Sequence, residues 1–81
     1  MATPHLGDRL TRRETDVLAG IAAGQIGRTI ADRLGIAETT VETYLRGART
    51  KLGTHTRAET VWAAGQRGDL TAARVDAARR P

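Results

Sequence analysis

This chain of 81 residues has no cysteine and no phenylalanine, and only one tryptophan and one tyrosine. Without cysteine it can form neither a disulfide nor a thiolate metal site. Its two histidines, His5 and His55, fall in a lead-in and in a loop. They are far apart in the chain and have no carboxylate cluster beside them, so no metal ion and no cofactor are expected. No serine, histidine and carboxylate fall in a nucleophile pattern, and no glycine-rich phosphate loop is present. The glycines sit where helices need to end. No catalytic residue is expected, and the chain reads as a non-enzyme. No apolar run approaches the roughly 20 residues that a membrane span needs. The opening MATPHLGDR lacks the apolar segment of a secretory signal, and a cytoplasmic location is the expectation. With so few aromatics, the core is a lean one of Leu, Ile, Val and Ala. That suits one small domain that gains stability from a partner or a second copy.

What the chain has in excess is arginine. Lys and Arg number 13 against 9 Asp and Glu, for a formal charge of +4 and a pI near 11.0. Lys51 is the only lysine. Guanidinium forks match phosphate and guanine edges, so a polyanion partner follows from the charge. GC-rich coding, which inflates Arg and Ala together, is the plainer alternative.

Along the chain, residues 1–9 read as an irregular lead-in or linker. Thr11 and Glu14 form a T-x-x-E capping box that opens a first helix, with Leu10 as a possible staple outside it. Val17, Leu18, Ile21 and Ala22 follow at helical spacing, and Gly24 closes it. A short second helix spans about 28–34, with Ile30, Ala31 and Leu34 as its apolar stripe. A third spans about 38–52 and ends at Gly53. Thr56 and Glu59 form a second capping box and open a fourth helix running to about Arg67. Residues 71–81 are a tail that either extends a helix or frays. Four short helices with short connections leave no room for a sheet. The expected fold is all-α, with the globular part over 10–70.

Gly27 to Val41 is the most informative stretch. Ala31, Gly35 and Val41 stand where two tightly crossing helices need a small residue, a φ > 0 turn and a core plug. The pattern predicts a helix-turn-helix without a wing, whose second helix enters a DNA major groove. Val41, Leu45, Ala48 and Leu52 form the core side of the third helix. The opposite side carries Thr39, Glu42, Thr43, Arg46 and Thr50. Threonine methyls can meet a thymine methyl, and Arg46 can reach guanine or a phosphate. An ordinary solvated face would look the same in isolation. Glu42 precedes Arg46 by four residues, which predicts a surface ion pair; it could also accept from cytosine N4. Gly47 costs roughly 1 kcal/mol against Ala, and either permits close approach to a DNA backbone or has no role.

Taken in order, LTRRETDVLAGIAAG at 10–24, IADRLGIAETTVETYL at 30–45 and KLGTHTRAETV at 51–61 resemble the LuxR-type (GerE-type) helix-turn-helix domain of bacterial transcription regulators. The resemblance covers about 10–70. It implies sequence-specific binding of double-stranded DNA, recruitment or blocking of RNA polymerase, and homodimers formed through the fourth helix. It also implies roles for matching residues: Thr40 with its hydroxyl on a phosphate, Val41 as core anchor, Arg46 on base or phosphate, and Lys51 and Arg57 as phosphate neighbours. The chain departs from the family at Glu42, usually Lys, and at Tyr44, usually His. It departs again at Ile26–Gly27, usually Ser or Thr then Asn, and at Ala37, usually Ser. Trp62 reads either as the edge of the core or as part of a dimer face with Val61 and Gly65, where Ala58 and Ala64 would allow close approach. The alternative function is a protein-interaction module that kept the fold and lost DNA affinity. The chain reads either as a complete single-domain regulator or as the effector domain of a longer response regulator.

Overall fold

Two helix starts in this chain are set by threonine capping boxes. In the computed structural model, which describes residues 3–80, Thr11 and Thr56 each accept from the backbone of the Glu three residues on. Each Glu side chain returns a bond to the cap backbone. These boxes open α1 (Arg12–Ala22) and α4 (Arg57–Arg67). Between them lie α2 (Gly27–Leu34) and α3 (Glu38–Leu52), and α5 (Ala72–Arg79) follows. Among the described residues there is no strand, and no helix is long and apolar enough to cross a membrane.

The crossing of α2 and α3 turns on Gly35. Its φ of +69° is left-handed, and the Ile36 amide donates back to the Ala31 carbonyl at 3.0 Å. Ala31 and Val41 are buried at this crossing, as their spacing predicts. Val17 and Leu18 of α1, Ile30 of α2 and Leu45 and Ala48 of α3 fill the centre. Full burial of one such Leu or Ile contributes about 1.5–3 kcal/mol. Against a total stability of roughly 4–12 kcal/mol for a chain of this length, a few of these residues decide whether it folds. Gly20 lets α1 and α2 approach: a Cβ there would lie 2.7 Å from Ile30 Cγ1.

The structure decides between the two readings of the tail and seats the lead-in. The tail is a fifth helix. Thr71 caps it by accepting from the Arg74 amide. Leu70 and Ala78 join the core with Val75 packed against it, so the described residues form five helices rather than four. The lead-in is also seated. The Gly7 amide donates to the Lys51 carbonyl at 2.8 Å, and Arg67 Nη2 donates to the Asp8 carbonyl at 2.8 Å. Residues 1, 2 and 81 lie outside the described residues.

Candidate nucleic-acid interface

α3 divides into two faces because its apolar residues recur at helical spacing. Val41, Leu45 and Ala48 are buried and Leu52 is half-buried. Thr39, Glu42, Thr43, Arg46 and Thr50 are exposed on the other side, and Thr40 is half-buried at its margin. The structure therefore gathers most of the expected contact residues on one helix face. Thr43 Oγ1 donates to the Thr39 carbonyl at 3.1 Å, and Thr50 Oγ1 to the Arg46 carbonyl at 3.2 Å. With their protons turned inward, these hydroxyls present only lone pairs outward. They can accept from cytosine N4 or adenine N6, while the methyl groups remain for thymine.

Three expectations are corrected. Glu42 does not pair with Arg46. Its Oε1 accepts from Arg57 Nη2 at 2.8 Å, and Arg46 has no carboxylate in ion-pair range among the described residues. The pair joins α4 to the reading face and cancels the charge of Glu42 locally. Lys51 does not stand free for a phosphate. Its Nζ donates to Glu14 Oε1 at 2.7 Å, with the two side chains only 11% and 7% exposed. Lys51 lies three residues beyond Ala48, which turns it toward α1. Gly47 has a role within the fold: it makes room for that pair, since a Cβ there would meet Glu14 Oε2 at 2.5 Å.

On α4, Ala58, Trp62 and Gly65 are exposed and Val61 is half-buried. They recur at i, i+3, i+4 and i+7, forming one stripe. Trp62 is 67% exposed and is not among the side chains packed on the core, against its reading as the core's edge. Ala64 is fully buried, so it cannot serve the stripe. Sequence reading missed Arg28. It stands in the first turn of α2, exposed and 3.8 Å from Glu38 of α3. Its place at the start of a helix-turn-helix was the available signal. The N-caps of α2 and α3, Ile26 and Ala37, make no side-chain cap bond.

The model of the bacterial regulatory proteins of the luxR family (GerE) matches residues 8–64. The chain belongs to this family. Its relatives include an HTH-type transcriptional activator, RamA, of Corynebacterium glutamicum, 47% identical over 62 residues. That match covers 76% of this chain and 22% of RamA. The transcriptional regulatory protein YdfI of Bacillus subtilis is 43% identical over 78% of the chain and 30% of its own length. The glycerol metabolism activator of Pseudomonas putida is 37% identical over 76% of the chain and 28% of its own length. The chain thus spans less than a third of the curated relatives it matches. No solved structure matches it.

Proposed function

We propose that this luxR-family chain binds double-stranded DNA sequence-specifically, with α3 in the major groove, and regulates transcription in the cytoplasm. The observation that carries this is Arg46. It is exposed at the centre of the α3 face, with no carboxylate in ion-pair range among the described residues, and flanked by Thr39 and Thr43. A guanidinium so placed can fork to guanine O6 and N7. We assign Thr40, at the margin of the face, to a phosphate, while Arg57 is held on Glu42. This is a binding function and needs no catalytic group. The relatives named as activators support a regulatory outcome, exerted through RNA polymerase.

Glu42 is the objection to this reading, and Arg57 answers it. A lone carboxylate would repel phosphates; held on a guanidinium at 2.8 Å, it leaves the face without added negative charge. The alternative, an interaction module without DNA affinity, therefore loses its main support. We further propose a homodimer through Val61, Trp62 and Gly65. A second copy would cover an exposed indole at the centre of a stripe of small residues.

Selection of bound sequences from a random duplex pool supplies the operator and the half-site spacing. On that operator, Arg46→Ala is expected to cost about 1–3 kcal/mol and to relax the preference at one base pair. Unchanged affinity and preference would refute the groove model.

A further inference from the structure

The family match ends at residue 64, before α5 begins. α5 lies outside the matched residues, and its far end has a defined seat. Gln25 Nε2 donates to the Ala78 carbonyl at 2.7 Å, while Gln25 Oε1 accepts from Arg33 Nε at 3.3 Å. Arg33 Nη2 also donates to the Asp16 carbonyl at 3.3 Å. Gln25 immediately precedes Ile26, the N-cap of α2. One glutamine therefore fastens the end of α5 beside the start of α2. In a helix-turn-helix, the first helix of the pair crosses the DNA backbone.

The junction forms an open cleft of about 570 Å³, where Arg33, Arg79 and Arg80 stand with Thr29 and Asp32. The acids do not balance the cations. Asp76 holds Arg79 at 3.6 Å, and Asp32 is the one carboxylate lining the cleft. Among the described residues, neither Arg33 nor Arg80 has a carboxylate in ion-pair range. Arg80 follows the last helical residue in extended backbone, at φ −83° and ψ 142°, and is exposed.

We infer that the end of α5, seated by Gln25, forms with Arg33 a basic shoulder that grips the sugar-phosphate backbone beside the base pairs α3 reads. The inference rests on the major-groove reading above. Arg80 supplies the reach, and Gln25 is a positioning residue. Phosphate is the chemical class recognised, because a guanidinium fork fits two phosphate oxygens and carries no base preference at this place.

The test is fluorescence anisotropy of the full chain on a random-sequence duplex of about 30 base pairs across a salt series, where each neutralised phosphate adds about 0.9 to the log–log slope. Arg80→Ala is expected to lower the slope by about 0.9. Gln25→Ala removes no charge but frees the end of α5, and is expected to lower the slope as well. Arg74→Ala removes an equal charge nearer the start of α5, from a guanidinium already 3.5 Å from Asp16; its slope is expected to match the parent. Circular dichroism melts show that each variant is folded. An unchanged slope in Arg80→Ala would overturn the inference. So would an equal drop in Arg74→Ala, which would make the effect one of net charge. A parent chain with no salt-dependent affinity would overturn the groove reading first, and the shoulder with it.

Discussion

Replacing Gly47 with alanine sets two physical expectations against each other. Helix propensity favours the change by roughly 1 kcal/mol, since Gly47 lies inside α3. Packing opposes it. The new Cβ would lie 2.5 Å from Glu14 Oε2, so the Glu14 carboxylate must turn away from its partners. Its other oxygen accepts from the Thr11 amide at 2.8 Å and from Lys51 Nζ at 2.7 Å. A carboxylate displaced from both leaves a buried ammonium unpaired, which costs about 3–5 kcal/mol. Set against the propensity gain, the expected net loss is about 2–4 kcal/mol. Urea titration followed by circular dichroism reads this directly. With a slope of about 1 kcal/mol/M for a domain of this size, the midpoint should fall by about 2 M or more. The double variant Glu14→Ala, Lys51→Met supplies the control. There the carboxylate and the ammonium are both gone, and Gly47→Ala should now stabilise by about 1 kcal/mol. A parent chain made equally or more stable by Gly47→Ala would refute the packing argument.

Glu59 is held below its ordinary value of 4.5 by backbone amides of His55 and Thr56, which favour its charged form. Its contribution is therefore present above about pH 4.5 and lost as pH falls through the lowered folded value. Glu59→Gln should flatten that part of the acid limb in melting temperature against pH, and an identical limb would refute the assignment. Trp62→Ala should leave the monomer's stability nearly unchanged, because the indole is exposed, yet weaken dimerisation by about 2 kcal/mol or more. Sedimentation equilibrium checks this, and an unaltered dimer constant would remove the α4 interface. Glu42→Lys adds one cation and releases Arg57 from its partner. The salt slope of non-specific DNA binding should steepen by up to about 1.8, two phosphates' worth; no change would mean that this face points away from the duplex.

The features legible in the sequence are those decided within a few residues. The two capping boxes place the starts of α1 and α4 because donor and acceptor are three residues apart. Ala31, Gly35 and Val41 give the helix crossing because size, φ and burial at a tight turn each restrict the residue type. What escaped was decided between helices. Lys51 looks like a surface cation until α1 is packed on α3 and brings Glu14 to it from 37 residues away. Glu42 lies four residues from Arg46 yet meets Arg57, because the start of α4 approaches that side of α3. Periodicity did not reveal α5. Its apolar residues are alanines apart from Val75, and a helix that buries little more than methyl groups leaves no clear stripe.

How the helices are capped bears on which surfaces are available. Thr11, Thr56 and Thr71 each spend a hydroxyl on the first-turn amides of α1, α4 and α5. Ile26 and Ala37 make no such bond for α2 and α3. A Ser or Thr cap would add about 1 kcal/mol at either position, so these two helices draw their stability from Ile30, Ala31, Val41 and Leu45 in the core. A capping side chain and a phosphate oxygen compete for the same amides. In the groove reading, the ends left uncapped are those of the helix-turn-helix pair, and the end of α2 also lies beside Gln25, where α5 delivers Arg80. Stability invested in the middle of α2 and α3, with their starts left open, leaves those first-turn amides available to a partner.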